Sequence, residues 1–216
     1  APPMERLRQV GMNCGCEYTS FPRFAGWPPY SRLDHSMGVA LIAWHFTEDV
    51  RQSTAGLLHD VATPAFAHVV DFLYGDHLYQ ESTEARTAEV IGRSPELQAV
   101  LKSYGLSTEE VADGHQFPIV DNPTPRLSAD RLEYTLGNLR CYGLAGDMDI
   151  RTFYQDLTLW QGEDGQPELA FRSLETACAF TEAALATGRV YVADEDRFAM
   201  QALADLLRAA LDRGVL

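Results

Sequence analysis

The sequence predicts an all-α domain with one small β-hairpin in its C-terminal third. Two observations carry that reading. Apolar residues recur at helical spacing, as in His35, Val39 and Ile42 at i, i+4 and i+7, which share one face. One stretch, 157–171, instead changes to a strand-like period on either side of Gly-Glu-Asp-Gly.

The elements follow in order. Residues 1–31 read as irregular, punctuated by Gly11, Gly15, Pro22, Gly26, Pro28 and Pro29. SRLDHSMGVALIAWHF, 31–46, predicts a buried helix that Ser31 or Asp34 can cap. VRQSTAGLLHDVA, 50–62, predicts a second apolar helix, which Pro64 stops or kinks. AFAHVVDFLYG, 65–75, predicts a third, ended by Gly75. Two more are predicted over 80–92 and 94–105, each with a terminal Gly in the C-cap place. STEEVADG, 107–114, opens on a good N-cap and an acidic first turn. A loop over 119–125 leads into a helix over 126–143, on which Leu127, Asp130 and Tyr134 share a face. After the hairpin, two long helices close the chain over 174–187 and 195–211.

At 216 residues the chain is long enough for one sizeable core, and a single domain over 1–216 is expected. Its core would occupy about 30–145, with the hairpin and C-terminal helices over about 150–216. No apolar run approaches the roughly 20 residues needed to cross a bilayer. The N-terminal APPMERLRQVG lacks the apolar region of a signal peptide. A cytoplasmic protein without a membrane partner is therefore expected. The net charge of −14 argues against an extended nucleic-acid partner, which needs a basic face. A small phosphate-bearing ligand is compatible, because a few local cations suffice for it. Sixteen of the seventeen basic residues are Arg, a skew that genome composition explains as readily as ligand chemistry. Of the four Cys, Cys14 and Cys16 form a C-x-C pair, a weak zinc signal without a second pair nearby; free thiols are expected.

His35, His59, Asp60 and Asp130 carry the chemistry. Each lies in a predicted helix with an apolar face, and ligands from separated helices can converge on one ion inside a bundle. Two imidazoles and two carboxylates suit a divalent transition metal and leave coordination positions open. Adjacent residues on an ideal helix point about 100° apart. His59 and Asp60 can therefore share an ion only if their helix ends or bends there, and Pro64 follows shortly after.

His35, the pair His59-Asp60 and the distant Asp130 resemble the H…HD…D signature of the HD-domain superfamily of metal-dependent phosphohydrolases. RLRQVG, FPRF, SRLDHSMGVA, AGLLHDVATPAFAHVVD and ADRLEYTLGNL further resemble its deoxynucleoside triphosphate triphosphohydrolase branch, most closely over 30–72 and 126–138. The resemblance implies an HD-domain helical bundle in which His35, His59, Asp60 and Asp130 hold one divalent ion (Mn, Fe, Co, Ni, Zn or Mg). It places His68 and Asp71 at the reaction centre, where an imidazole and a carboxylate can orient a water or protonate a leaving oxygen. It implies phosphate contacts from Arg32 and Arg131, and substrate contacts from Tyr134 and Glu81. The activity implied is metal-assisted attack of water on a phosphoester, with a nucleotide as the favoured substrate.

The chain departs from that branch at three places. Thr63 stands where the branch has a second His, Gln80 precedes Glu81 where the branch reads His-Glu, and Met12-Asn13 falls where a Gln reads the sugar. Neither Thr nor Gln titrates near neutral pH. These departures keep open a module that binds a nucleotide without turnover. A two-metal phosphodiesterase or oxygenase needs extra His ligands in the interval that here holds His68, His77 and His115, whose spacing does not match that pattern. His45 and His115 otherwise read as structural. Helical proteins of this kind often pair, so a homo-oligomer is compatible, but no interface is legible.

Overall fold

Helix α2 (Arg32–Thr47) organises the molecule, and its start is specified locally. Ser31 Oγ accepts from the Asp34 amide at 3.2 Å while Asp34 Oδ2 accepts from the Ser31 amide, also at 3.2 Å. This capping box satisfies two orphan donors, and removing such a cap costs about 1 kcal/mol. The preceding chain is laced to the same point: the Arg32 amide donates to Val10 O at 2.8 Å and the Met12 amide to Tyr30 O at 2.9 Å. That preceding stretch holds α1 (Pro2–Glu5) and short 3-10 turns over Arg6–Gln9, Cys14–Tyr18 and Pro22–Phe24, where the sequence reads as irregular. The structure is a computed structural model describing residues 1–75 and 86–215.

Helix α3 (Val50–Leu58) packs back on α2, with Ser53 Oγ donating to Ala40 O at 2.9 Å. It ends four residues short of the expected 62. Pro64 disfavours helix at Thr63, and residues 59–63 close in i→i+3 turns instead, Val61 N to Leu58 O and Thr63 N to Asp60 O. Helix α4 (Val69–Tyr74) likewise starts later than expected, because Ala67 takes a left-handed conformation, φ +44°, that no helix can continue through. Gly75 ends α4 in the left-handed C-cap conformation as predicted.

Helices α5 (Thr87–Arg93), α6 (Pro95–Ser103) and α7 (Thr108–Val111) follow. Only the later part of the predicted 80–92 helix falls among described residues. Ala55, Leu58 and Val61 pack with Ile91, Leu97, Leu101 and Val111 in a satellite core. Helix α8 (Ala129–Cys141) is capped by Ser128. Helix α9 (Asp147–Gln155) is an addition to the sequence reading; only Phe153 on it is buried, too sparse an anchor to leave a clear periodicity. Strands β1 (Leu157–Gln161) and β2 (Pro167–Phe171) pair antiparallel, with Leu157 opposite Phe171 and Gln161 opposite Pro167. Helices α10 (Leu174–Tyr191) and α11 (Asp194–Asp212) complete an all-α architecture with one hairpin among the described residues. Among the described residues, no helix is long and apolar enough to cross a membrane.

The main core joins Val39, Ile42 and Ala43 of α2 to Leu132, Leu136 and Leu139 of α8, with Phe153, Leu157, Leu169 and Phe180 closing it from the hairpin side. Helix α11 packs on α4 through Met200 and Ala204, and on the Cys14–Tyr18 turn. Gly15 permits the second contact: a Cβ there would lie 2.5 Å from the Asp196 carbonyl oxygen, which is backbone and cannot step aside cheaply. Gly15→Ala is therefore expected to destabilise the fold by about 1–3 kcal/mol, read as a lowered midpoint in thermal unfolding. An unchanged midpoint would show that this contact is looser than described.

Candidate metal centre

Three ligand-type atoms meet where α2, the turn after α3 and the first turn of α8 come together. His35 Nε2 lies 3.1 Å from His59 Nε2 and 2.9 Å from Asp130 Oδ1, and His59 Nε2 lies 3.4 Å from the same Asp130 oxygen. Donors bound at about 2.1 Å to one ion at 90–110° stand roughly 3.0–3.4 Å apart. The three fit a common ion on both chemistry and spacing. Among the described residues they are the one group of His, Cys, Asp or Glu whose ligand atoms lie within 4.8 Å of each other.

Both rings present the correct nitrogen. His59 Nδ1 is 2.7 Å from Gly56 O, and a carbonyl only accepts, so Nδ1 carries a hydrogen and, in the neutral ring, the Nε2 lone pair is the one that faces the centre. His35 Nδ1 is 2.5 Å from Glu133 Oε2, with the same consequence. Because α3 ends before them, His59 and Asp60 are not held at the angle that a continuing helix would impose.

Asp60 stands at the edge of the group. Its Oδ2 is 3.9 Å from His35 Nε2 and 3.8 Å from His59 Nε2, and it accepts from the Arg32 guanidinium at 2.8 Å. Its Oδ1 accepts from Thr63 Oγ at 2.9 Å. Thr63 thus orients a carboxylate, and no titratable group stands at that position. Arg32 is only 5% exposed, and its Nε has no hydrogen-bond partner among the described residues.

The charges in the centre bias one another. Burial alone would raise the Asp60 carboxyl, but Arg32, His59 and His35 hold it well below the usual carboxylate range. Burial likewise opposes the ionised Asp130, and hydrogen bonds from His35 and His59 overcome it. Burial would depress His35, yet Asp130 and Glu133 push it up to about 10. His59 moves in the same direction, with Asp60 and Asp130 outweighing burial.

A cavity of about 800 Å³ opens over this centre, within the usual range for small-molecule sites. Arg32, Asp60, His68, Asp71 and Tyr134 line it beside the three converging residues. His68 Nδ1 is 3.0 Å from Asp71 Oδ2; Asp71 is buried and His68 partly exposed. The left-handed Ala67 immediately before His68 sets its direction of approach. Tyr134 lies one turn beyond Asp130, with burial and the Asp130 charge pushing its hydroxyl up to about 12. Arg131 is turned elsewhere: its guanidinium donates to Asn122 Oδ1 at 3.0 Å, to Asn122 O at 2.9 Å and to Arg126 O, pinning the loop before α8. Glu81 lies outside the described residues, as do Gln80 and His77.

Glu133 and Asn138 carry no expectation from the sequence, and Asn13 appears there only in the Met12-Asn13 departure from the resembled branch. Glu133 follows Asp130 by three, a spacing that places both carboxylates on one helical face. Asn138 extends the stripe Asp130–Tyr134–Asn138 at i, i+4 and i+8, a legible signal. Asn13 and Asn138 line the cavity, and both side chains are buried with Oδ1 unpartnered among the described residues. The four cysteines are free. Burial pushes the Cys14 thiol up to about 11, so it is no nucleophile at neutral pH.

No family profile matches the chain. It is 34% identical over 133 residues to the uncharacterized protein YdhJ of Bacillus subtilis, a match covering 61% of this chain and 40% of that protein. It is 30% identical over 119 residues to the metal-dependent phosphohydrolase cns2 of Cordyceps militaris, covering 54% of this chain and 33% of that protein. The chain thus matches well under half the length of both relatives.

Two outcomes follow from the geometry. Asp130→Ala removes the oxygen nearest both imidazoles and is expected to abolish stoichiometric metal uptake, measured by elemental analysis after dialysis. An ion needs neutral imidazoles, whereas the ion-free chain holds His35 protonated below about 10. Metal affinity should therefore rise with pH across the neutral range, by about tenfold per unit for each proton displaced. Chelator competition at three pH values checks this, and a flat profile would contradict it.

Proposed function

We propose that this chain forms the metal-binding core of an HD-type phosphohydrolase acting on a nucleotide or a related phosphoester. The observation that carries the reading is the joint placement of His35, His59 and Asp130 beside the buried Arg32–Asp60 pair, under one cavity. Similarity to a relative named a metal-dependent phosphohydrolase supports it. His35, His59 and Asp130 would hold one divalent ion, with Asp60 Oδ2 completing the protein side. Mn, Fe, Co, Ni, Zn and Mg are the candidates. When bound, the ion supplies positive charge that polarises the phosphoryl group and lowers the pKa of a nearby water.

The chain's own residues supply the rest. Arg32, held by Asp60 and lining the cavity, would offer a fixed cation for a phosphoryl oxygen. Water attack forms one P–O bond while the bond to the leaving group breaks, and the leaving oxygen needs a proton. His68, its Nδ1 hydrogen held by Asp71, is placed to move that proton through its other nitrogen. Tyr134, Asn13 and Asn138 line the wall along which the rest of the ligand would lie. A location in the cytoplasm fits such a substrate.

A second reading has its own support. Thr63 donates to Asp60 where the resembled branch carries a titratable ring, so a module that binds a nucleotide without turnover fits that position. One experiment separates the two. The purified chain is stripped, reloaded with each candidate metal, and assayed for binding and hydrolysis of nucleoside mono-, di- and triphosphates. Hydrolysis is expected, with His68→Ala slowing it by about 10²–10⁴. Tight binding with no product favours the second reading; neither binding nor product removes both.

A further inference from the structure

We propose that Glu133 is the positioning residue of the metal centre, holding His35 by its outer nitrogen so that Nε2 points at the ion. The inference rests on the metal-site reading above and concerns a residue that does not itself line the cavity.

Three observations carry it. Glu133 Oε2 lies 2.5 Å from His35 Nδ1, and the Tyr30 hydroxyl donates to the same oxygen. A carboxylate accepts from both, which fixes its rotamer and the tautomer of the ring. Second, α8 grips the His35 ring at both edges: Asp130 Oδ1 is 2.9 Å from Nε2 while Glu133, one turn on, takes Nδ1. The ring cannot rotate without breaking a charged contact. Third, two glycines in the helices make the room. A Cβ on Gly38 of α2 would fall 2.5 Å from Glu133 Cγ, and one on Gly137 of α8 would fall 2.5 Å from Tyr30 Cζ. Each glycine weakens its helix by about 1 kcal/mol relative to Ala. The α2–α8 interface thus accepts weaker helices in order to house the Tyr30–Glu133–His35 chain.

A carboxylate behind a histidine ligand raises its basicity and fixes its aim, and losing such a partner typically weakens metal binding about 10–100-fold. The test uses cobalt(II) as the probe, read by chelator competition and by visible absorption of the bound ion. It compares the full chain with Glu133→Ala, Glu133→Gln and Tyr30→Phe. Glu133→Ala is expected to weaken cobalt affinity about 10–100-fold and to change the absorption bands. Glu133→Gln, which keeps an acceptor oxygen without the charge, should recover part of that affinity. Tyr30→Phe should lose least. Unfolding of the ion-free variants is followed in parallel, because a merely structural Glu133 would lower the melting midpoint and leave affinity and spectrum alone. If Glu133→Ala does not fold, the Gln and Phe variants decide. Folded variants with wild-type affinity and spectrum overturn this inference alone. A wild-type chain that takes up no cobalt overturns the metal-site reading along with it.

Discussion

His35 is buried at 2% exposure between two carboxylates of one helix, and the rest of the structure is arranged around that fact. A buried imidazole flanked by two acids is tolerable only if charge and hydrogen bonds balance locally, since an uncompensated buried charge costs several kcal/mol. Here the balance extends outward. Arg32, three residues before His35, meets Asp60; Asp60 is also held by Thr63; His59 is held by the Gly56 carbonyl. His35, His59 and Asp60 are each held from outside the centre, which restricts them before any ligand arrives.

That restriction has a packing origin. Val39 and Ile42 of α2 lock against Leu132 and Leu136 of α8, which sets the relative position of the two helices on which His35, Asp130 and Glu133 sit. The other two candidate ligands come from chain that is not helical. His59 caps α3 and Asp60 lies in the turn beyond it. A helix end lets consecutive side chains face one point, which a continuing helix forbids. His68 enters through a left-handed Ala67, a backbone state that costs about 1 kcal/mol or more and concentrates at functional sites.

The chain carries a net charge of −14, yet the ligand proposed for the centre is anionic. The two facts are compatible because the relevant cation is local and dry. Arg32 keeps its charge in the interior with Asp60 beside it, and burial strengthens its pull on an incoming oxyanion. Asn13 and Asn138 line the same cavity but come from distant parts of the chain, the N-terminal turns and the third turn of α8.

Periodicity and caps were enough to read most helices, the hairpin and the faces bearing His35 and Asp130, because those signals depend on neighbours within one or two turns. Ser31 capping α2, Gly75 ending α4 and Gly-Glu-Asp-Gly between the strands are all local. The sequence also showed that His59 and Asp60 needed a break in their helix. It did not show where the break falls, that Arg131 turns to its own loop, or that Glu133 and Tyr30 stand behind His35. Those outcomes depend on which helix crosses which and at what depth. Residues 30, 35 and 133 become neighbours only when two glycines let α2 and α8 close around a buried carboxylate. No window along the chain contains that geometry, since the forces that set it act between segments about a hundred residues apart.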